Sequence, residues 1–291
     1  MLFKINHTAP LDLEIKRILT DFIDESLEYL KYSDQNTDEC IHEIRKNMKK
    51  ARATLRLIRP GIPTELYQRF NALFRDIARE FSEARDSRAL LDTFNCLMIK
   101  HEDSLPLQHA TTLIEDNYKN KTSKLKKDKP YSATKAQLDT TRYLTEALKI
   151  TTGYHKKLLE ELVSNYKKVR KAFKKASRTN DAHEFHEWRK KQKHLLSQFL
   201  LLEDFFSSEI SYYPECLDEL ADLLGKEHDL AVLILFLQKS ELPKQEFITI
   251  KKIIMEEREV IQKESLHLGK ERIFKWSPKD FILILKDHYS F

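Results

Sequence analysis

With 291 residues, of which 41% are hydrophobic and 33% charged, the chain has apolar content enough for packed cores, and its length favours two domains of about 140 residues each. Only 4 glycines and 8 prolines leave little material for tight turns, no sustained apolar–polar alternation is present, and the longest apolar run, Leu230–Leu237, is far too short to cross a bilayer. A β architecture and a membrane span are thereby excluded in favour of an all-α chain, and the net charge of +5, mild but unevenly placed, leaves room for a local polyanion partner.

A first helix is expected from about Pro10 to Tyr32. Ser33–Asp38 reads as a polar turn, with Thr37 placed to cap a second helix. Within that helix, residues 41–59 carry an unusual pattern. Ile41, Ile44, Met48, Ala51, Leu55 and Ile58 recur at steps of three and four and form one apolar stripe. His42, Arg45, Lys49, Arg52, Arg56 and Arg59 follow the same steps one residue later, forming a second stripe rotated by about 100°. Seven Lys/Arg stand against one acid, Glu43. A surface helix ordinarily intersperses acids to make i, i+4 pairs, so this stripe repels itself and is expected to meet an anion from outside the helix.

Pro60-Gly61-Ile62-Pro63 ends the basic helix. A long helical stretch from Thr64 to about Lys100 follows, broken or bent near Ser82–Asp86. Pro106 to Lys127 reads as helical and ends in a lysine-rich run, 119–129, taken as a flexible, solvated linker. Ser132 is placed to cap a helix reaching about Ile150. After Gly153 the pattern restarts with a helix from about Tyr154 to Ser177, and its run 167–178 holds seven Lys/Arg and no acid, bases that would widen a groove. Asp181 and Glu184 have capping-box spacing ahead of the next helix. Segment 203–229 holds nine acids and one lysine. Helices from Pro243 to about Lys270 and from Pro278 to Tyr289, with Ser277 capping, complete the chain. Cys40, Cys96 and Cys216 have no metal-type spacing and read as reduced thiols of an intracellular protein. Met1–His7 lacks a signal peptide's apolar run, so a cytoplasmic location is expected.

Phe185-His186-Glu187-Trp188-Arg189-Lys190-Lys191-Gln192-Lys193 matches Ile41-His42-Glu43-Ile44-Arg45-Lys46-Asn47-Met48-Lys49, 144 residues earlier. Phe185, Trp188, Leu195, Phe199 and Leu202 stand for the apolar stripe of the first copy, and His186, Arg189 and Lys193 for its basic one. Ala84–Leu91 matches Glu227–Ile234 at an offset of 143. An internal repeat of this length predicts two similar helical bundles, residues 1–144 (with the basic linker 119–130) and 145–291, together forming one unit.

On these residues the chain resembles the CHAD family, the conserved histidine α-helical domain. The phrase from His42 to Arg56, Ala84-Arg85-Asp86 about forty residues on, His186-x-x-Arg189-x-x-x-Lys193 and Leu224–Leu230 carry the resemblance, which spans about residues 10 to 288. It implies two bundles about a pseudo-two-fold axis, their basic helices facing a shared groove that binds long-chain inorganic polyphosphate without catalysis. On matching positions it implies anion contacts for His42, Arg45, Lys46, Lys49, Lys50, Arg52, Arg56 and Arg85, and for His186, Arg189, Lys190 and Lys193. Three departures stand out. Leu196 occupies the place of Arg52, Ser87 and Arg88 replace the apolar residues that usually follow Arg-Asp, and no triphosphate-tunnel enzyme domain precedes the repeat, so no built-in polyphosphatase is expected.

The helix from His42 to Arg56 spans about 21 Å, enough for several consecutive phosphates. Arginine forks hold two oxygens at once, and lysines add point charge. Neither histidine has a second His, Cys or acid at i+3 or i+4, so no metal is expected, and no cofactor or catalytic residue either. Asp86 and Asp229 are expected to pair with and orient bases of the stripes. Trp188 and the phenylalanines at helical spacing read as core. The alternatives are a nucleic-acid binder, which would need exposed aromatics among its bases or a recognition helix, and an enzyme acting on phosphate chains, which would need clustered acids for Mg²⁺.

Overall fold

The structure, a computed structural model, describes residues 3–33, 35–101, 108–128, 130–151, 153–207, 210 and 212–288, with the side chains of 155 and 156 outside the description. Among the described residues it is built of α-helices joined by short turns: α1 (Leu11–Lys31), α2 (Thr37–Leu57), α3 (Thr64–Glu80), α4 (Ser82–Lys100), α5 (Gln108–Asp128), α6 (Tyr131–Glu146), α7 (Leu158–Thr179), α8 (Ala182–Leu201), α9 (Tyr212–Lys239), α10 (Lys244–Leu268) and α11 (Pro278–Asp287). The all-α expectation holds. Among the described residues, no helix is long and apolar enough to cross a membrane.

The periodicity that predicted α2 and α8 also tells which face they bury. Ile41, Ile44, Met48, Ala51 and Leu55 of α2 are at most 1% exposed, as are Phe185, Trp188, Leu195 and Phe199 of α8. Each such large apolar side chain contributes about 1.5–3 kcal/mol. The main core runs from Ile5 to Leu285, and a second, smaller core joins α4 and α5 to the later half of α9 and to α10, through Phe94, Ile114, Leu233 and Ile254. Both cores draw on residues from either side of the expected boundary at 144/145. The end of α2 is fastened across that boundary too: Thr151 N–H donates to the Gly61 carbonyl at 2.8 Å, and the Tyr154 hydroxyl to the Leu57 carbonyl at 3.0 Å. A Cβ on Gly61 would lie 2.7 Å from Tyr154 Cγ, so that crossing requires glycine.

Several boundaries differ from expectation. Asn36, not Thr37, caps α2, its side chain accepting from Glu39 N–H at 3.4 Å, while the Thr37 hydroxyl bonds back to the Ser33 carbonyl. The break between α3 and α4 falls at Phe81, and α6 starts behind Pro130 rather than Ser132, because a proline ring presets the entry angle without a side-chain cap. Asp181 and Ser277 do cap their helices as expected. The lysine-rich run is helix rather than flexible linker: it ends α5, and Lys121 and Lys124 reach Glu83 of α4 at 3.0 and 3.4 Å. Lys129, Pro106 and Tyr289, which fell within expected elements, lie outside the described residues. The three cysteines are unpaired, Cys40 and Cys216 buried and Cys96 exposed.

Candidate functional site

Helices α2 and α8 pack against each other, α4 lies against α2, and α9 lies against both α8 and α4. The basic stripes of α2 and α8 sit about 100° round from their buried stripes, and this packing brings bases of the two stripes close together in a cationic cleft region. Lys49 of α2 lies within electrostatic reach of Arg45, Lys193, Arg189 and Arg85. Asp229 of α9 is in turn within reach of Arg189, Lys193, Arg85 and Lys49. Four helices thus bring five cations and two carboxylates, Asp86 and Asp229, to one place.

What sets Arg45, Arg85 and Arg189 apart is that they are drawn partly out of water side by side. Some bases elsewhere are paired, Arg88 with Asp38 at 2.7 Å, Lys4 with Asp204 at 2.7 Å and Arg17 with Glu14 at 2.8 Å, and others, such as Lys135 and Lys167, stand exposed without an ion pair among the described residues. Among the described residues, Lys49, Arg85, Arg189 and Lys193 form no ion pair. Arg45 is tied down at one end, Nη1 donating to the Ala78 carbonyl at 2.5 Å and Nη2 lying 3.6 Å from Asp86. That contact is the pairing expected of Asp86, whose own side chain is 68% exposed, whereas Asp229, expected to pair likewise, forms no ion pair among the described residues. Arg45 Nε, Arg85 Nη1 and Arg189 Nε are buried donors with no acceptor. A buried donor left unsatisfied costs about 1–3 kcal/mol, more on a charged group.

Electrostatics record the same strain. Burial first, and then Arg45, Lys193, Arg189 and Arg85, pull Lys49 down to about 8, although the residue as a whole is exposed. Lys193 is lowered by burial and by Arg189, against the steadying charges of Asp229 and Asp222. Burial lowers Arg45 and Arg189 as well. Asp229 moves the other way, raised by burial despite four nearby cations.

The two histidines of the motif lie beside different arginines, His42 near Arg85 and His186 near Arg189, and among the described residues no contact joins them. His42 is half-exposed, with Nε2 3.8 Å from Glu43, and is lowered by burial and by Arg85. His186 meets His228 of α9, Nδ1 to Nδ1 at 3.0 Å. His228, Asp229 and Asp86 line a hollow of about 150 Å³ between α4 and α9. A larger hollow of about 590 Å³ lies between α1 and α6; four of its charges are cancelled in pairs, Lys31 with Glu28 and Arg142 with Asp24, which leaves Lys135 as its single unpaired base among the described residues.

The remaining expected contacts spread away from this cluster. Lys46 and Lys190 turn to Glu43 and Glu187 on their own helices. Lys50 lies over the rings of Phe3 and Phe22, at 5.0 and 5.9 Å from their centroids. Arg52 donates to Asn71 of α3 at 2.9 Å, and Arg56 meets the His194 ring of α8. His194, pushed down to about 3 by burial and the two arginines, is neutral and accepts from Arg56. Of the basic run of α7, Lys175 pairs at 2.6 Å with Glu184, about 200° round α8 from His186, and Arg170 donates to the Phe274 carbonyl at 3.3 Å, so these two bases are engaged elsewhere. His228 and His194 were not among the expected site residues. The offset of 143 that aligns the two halves places His228 opposite Arg85, which was the available signal for the first; His194 carries no such mark.

A family model for the CHAD domain matches residues 19–238. The fold is similar to the crystal structure of the CHAD domain from the plant Ricinus communis, with a TM-score of 0.61 at 16% identity over 98% of this chain and 95% of that one. It is also similar to PptA from Streptomyces chartreusis, with a TM-score of 0.63 at 11% identity over 92% of this chain and 100% of that one. No curated protein sequence matches the chain.

Proposed function

Because the chain belongs to the CHAD domain family, we propose that its cationic cleft binds long-chain inorganic polyphosphate and holds it without chemical turnover. The observation that carries this reading is the gathering of Arg45, Arg85 and Arg189 around Lys49 and Lys193, close enough for each charge to act on the next. The three arginines come from three helices, and Lys49 and Lys193 beside them form no ion pair among the described residues. An anion with many oxygens at short repeat satisfies all of them at once, and it removes the mutual repulsion that depresses Lys49. Held in place by packed helices, these donors lose little side-chain entropy on binding.

A bare phosphate chain suits the cleft better than a nucleic acid does. Phe185 and Trp188, the large aromatics of α8, are fully buried and give a base nothing to stack on. The non-catalytic part of the reading is supported by a donor set that supplies N–H groups and positive charge along a chain rather than a nucleophile aimed at one phosphorus.

Titration calorimetry with long-chain polyphosphate tests this. Binding is expected to be tight at low salt and to weaken steeply with ionic strength as released counterions regain their entropy. Orthophosphate and sulfate, each able to satisfy one donor group, are expected to bind far more weakly. Absence of polyphosphate binding at low salt would contradict the proposal, and release of shortened chains on incubation would contradict its non-catalytic part.

A further inference from the structure

The acid-rich segment has so far been given no role. Its acids are not scattered. Glu215, Asp218, Asp222 and Asp229 stand at steps of three, four and seven on the single unbroken helix α9, and therefore on one face of it, with Gly225 at the intervening place. From Glu215 to Asp229 the row is about 21 Å long. Glu215, Asp218 and Asp222 are exposed, and among the described residues none of the four forms an ion pair.

This row runs beside the basic stripe of α8, in the opposite direction. His186 meets His228, Gln192 Nε2 donates to the Leu217 carbonyl at 3.1 Å, and Lys193 lies within reach of Asp222. Asp229, at its inner end, faces the cations of the cleft. The cleft is therefore flanked on one side by a rail of unneutralised negative charge, while its other walls carry unneutralised positive charge.

We propose that the α9 row Glu215–Asp218–Asp222 determines specificity, confining a bound polyanion to the α2–α8 seam and rejecting broad polyanions such as duplex nucleic acid. The inference rests on the polyphosphate reading of the cleft. Packed helices lie about 8–10 Å apart, so a single-file phosphate chain seated on the seam stays about one helix diameter from the rail. A duplex carries a second row of phosphates across a groove roughly 6–12 Å wide, which places charge against the rail when one strand occupies the seam. Discrimination then comes from repulsion of the wrong ligand rather than extra contacts to the right one.

The test compares the intact chain with the triple variant E215Q/D218N/D222N, whose substitutions are exposed and nearly isosteric, and with E256Q/E259Q/E264Q on α10, which changes net charge equally. Dissociation constants are measured for long-chain polyphosphate and for a DNA duplex of matched charge. In the α9 variant the duplex is expected to bind about tenfold tighter and polyphosphate less than about threefold tighter, so selectivity falls. The α10 variant is expected to shift both ligands by the same small factor. Equal shifts of the two ligands in the α9 variant, or the same loss of selectivity in the α10 variant, would overturn the rail while leaving polyphosphate binding standing. Failure of the intact chain to bind polyphosphate would overturn the underlying reading and the rail with it.

Discussion

The Nδ1 atoms of His186 and His228 lie 3.0 Å apart, and their ring centroids 4.4 Å apart. Along that line the two imidazoles can share one proton, but they cannot each hold one. Burial, then Arg189, His186 and Lys193, push His228 down to about 4, and burial with Lys190 and Arg189 lowers His186. The free protein therefore carries a neutral pair at pH 7. A phosphate chain favours the charged form, so binding should convert one ring to imidazolium. Nitrogen-15 NMR of the histidine rings, recorded without and with polyphosphate, reads this directly. One ring of the pair becoming imidazolium is the expected result, and two rings still neutral in the saturated complex would contradict it.

Lys49, among the clustered cations, makes binding sensitive to alkaline pH. Its pKa of about 8 lies below the ordinary value of 10.5, and a bound polyanion raises it again. Affinity should therefore be level below pH 8 on this group's account and fall as pH rises through 8 toward 10. Folding carries the reverse sign: a base depressed in the folded state destabilises the fold while charged, so that destabilisation fades over the same rise. K49M should raise the melting temperature by a few degrees while weakening polyphosphate binding, as expected where a site stores repulsion for its ligand. K49R should keep the charge and flatten the alkaline fall in affinity. An alkaline fall unchanged in K49R would remove Lys49 as its source.

Much of this arrangement could be read from residue spacing. The apolar stripes of α2 and α8 follow from hydrophobic periodicity, and both are buried. The paired motifs named Arg45, Lys49, Arg189 and Lys193, and a second match named Arg85. Spacing on one helix could not say which bases a neighbouring helix would claim. Arg52 and Arg56 belong to the same stripe as Arg45, yet Asn71 and His194 meet them first. Lys50 is one residue from Lys49 and faces the Phe3 and Phe22 rings instead. The sharing of both cores across the middle of the chain was likewise out of reach, since long-range packing leaves no periodic mark.

Glu227, immediately before His228, is only 1% exposed and is held by Arg258 at 2.5 Å and by the Gln262 amide at 2.9 Å. R258M should leave a buried carboxylate unpaired and lower stability by about 3–5 kcal/mol. The double variant E227Q/R258M, which removes both charges, should recover most of that loss. Urea unfolding of the three proteins measures both differences. A small loss in R258M would mean that water reaches Glu227.

The central claim is that a particular set of helix-borne cations, rather than diffuse basicity, holds polyphosphate. Reversing Arg45 and Arg189 to glutamate and reversing Lys126 and Lys127 at the end of α5 each lower the net charge by four, from +5 to +1. Circular dichroism would verify that both variants remain folded. Polyphosphate titrations at two salt concentrations then separate the possibilities. R45E/R189E is expected to lose about 100-fold or more in affinity at both, because aimed donors are lost, whereas K126E/K127E is expected to lose less than about fivefold and to lose less still at high salt. Equal losses in the two variants at both salt concentrations would contradict a dedicated site in the cleft.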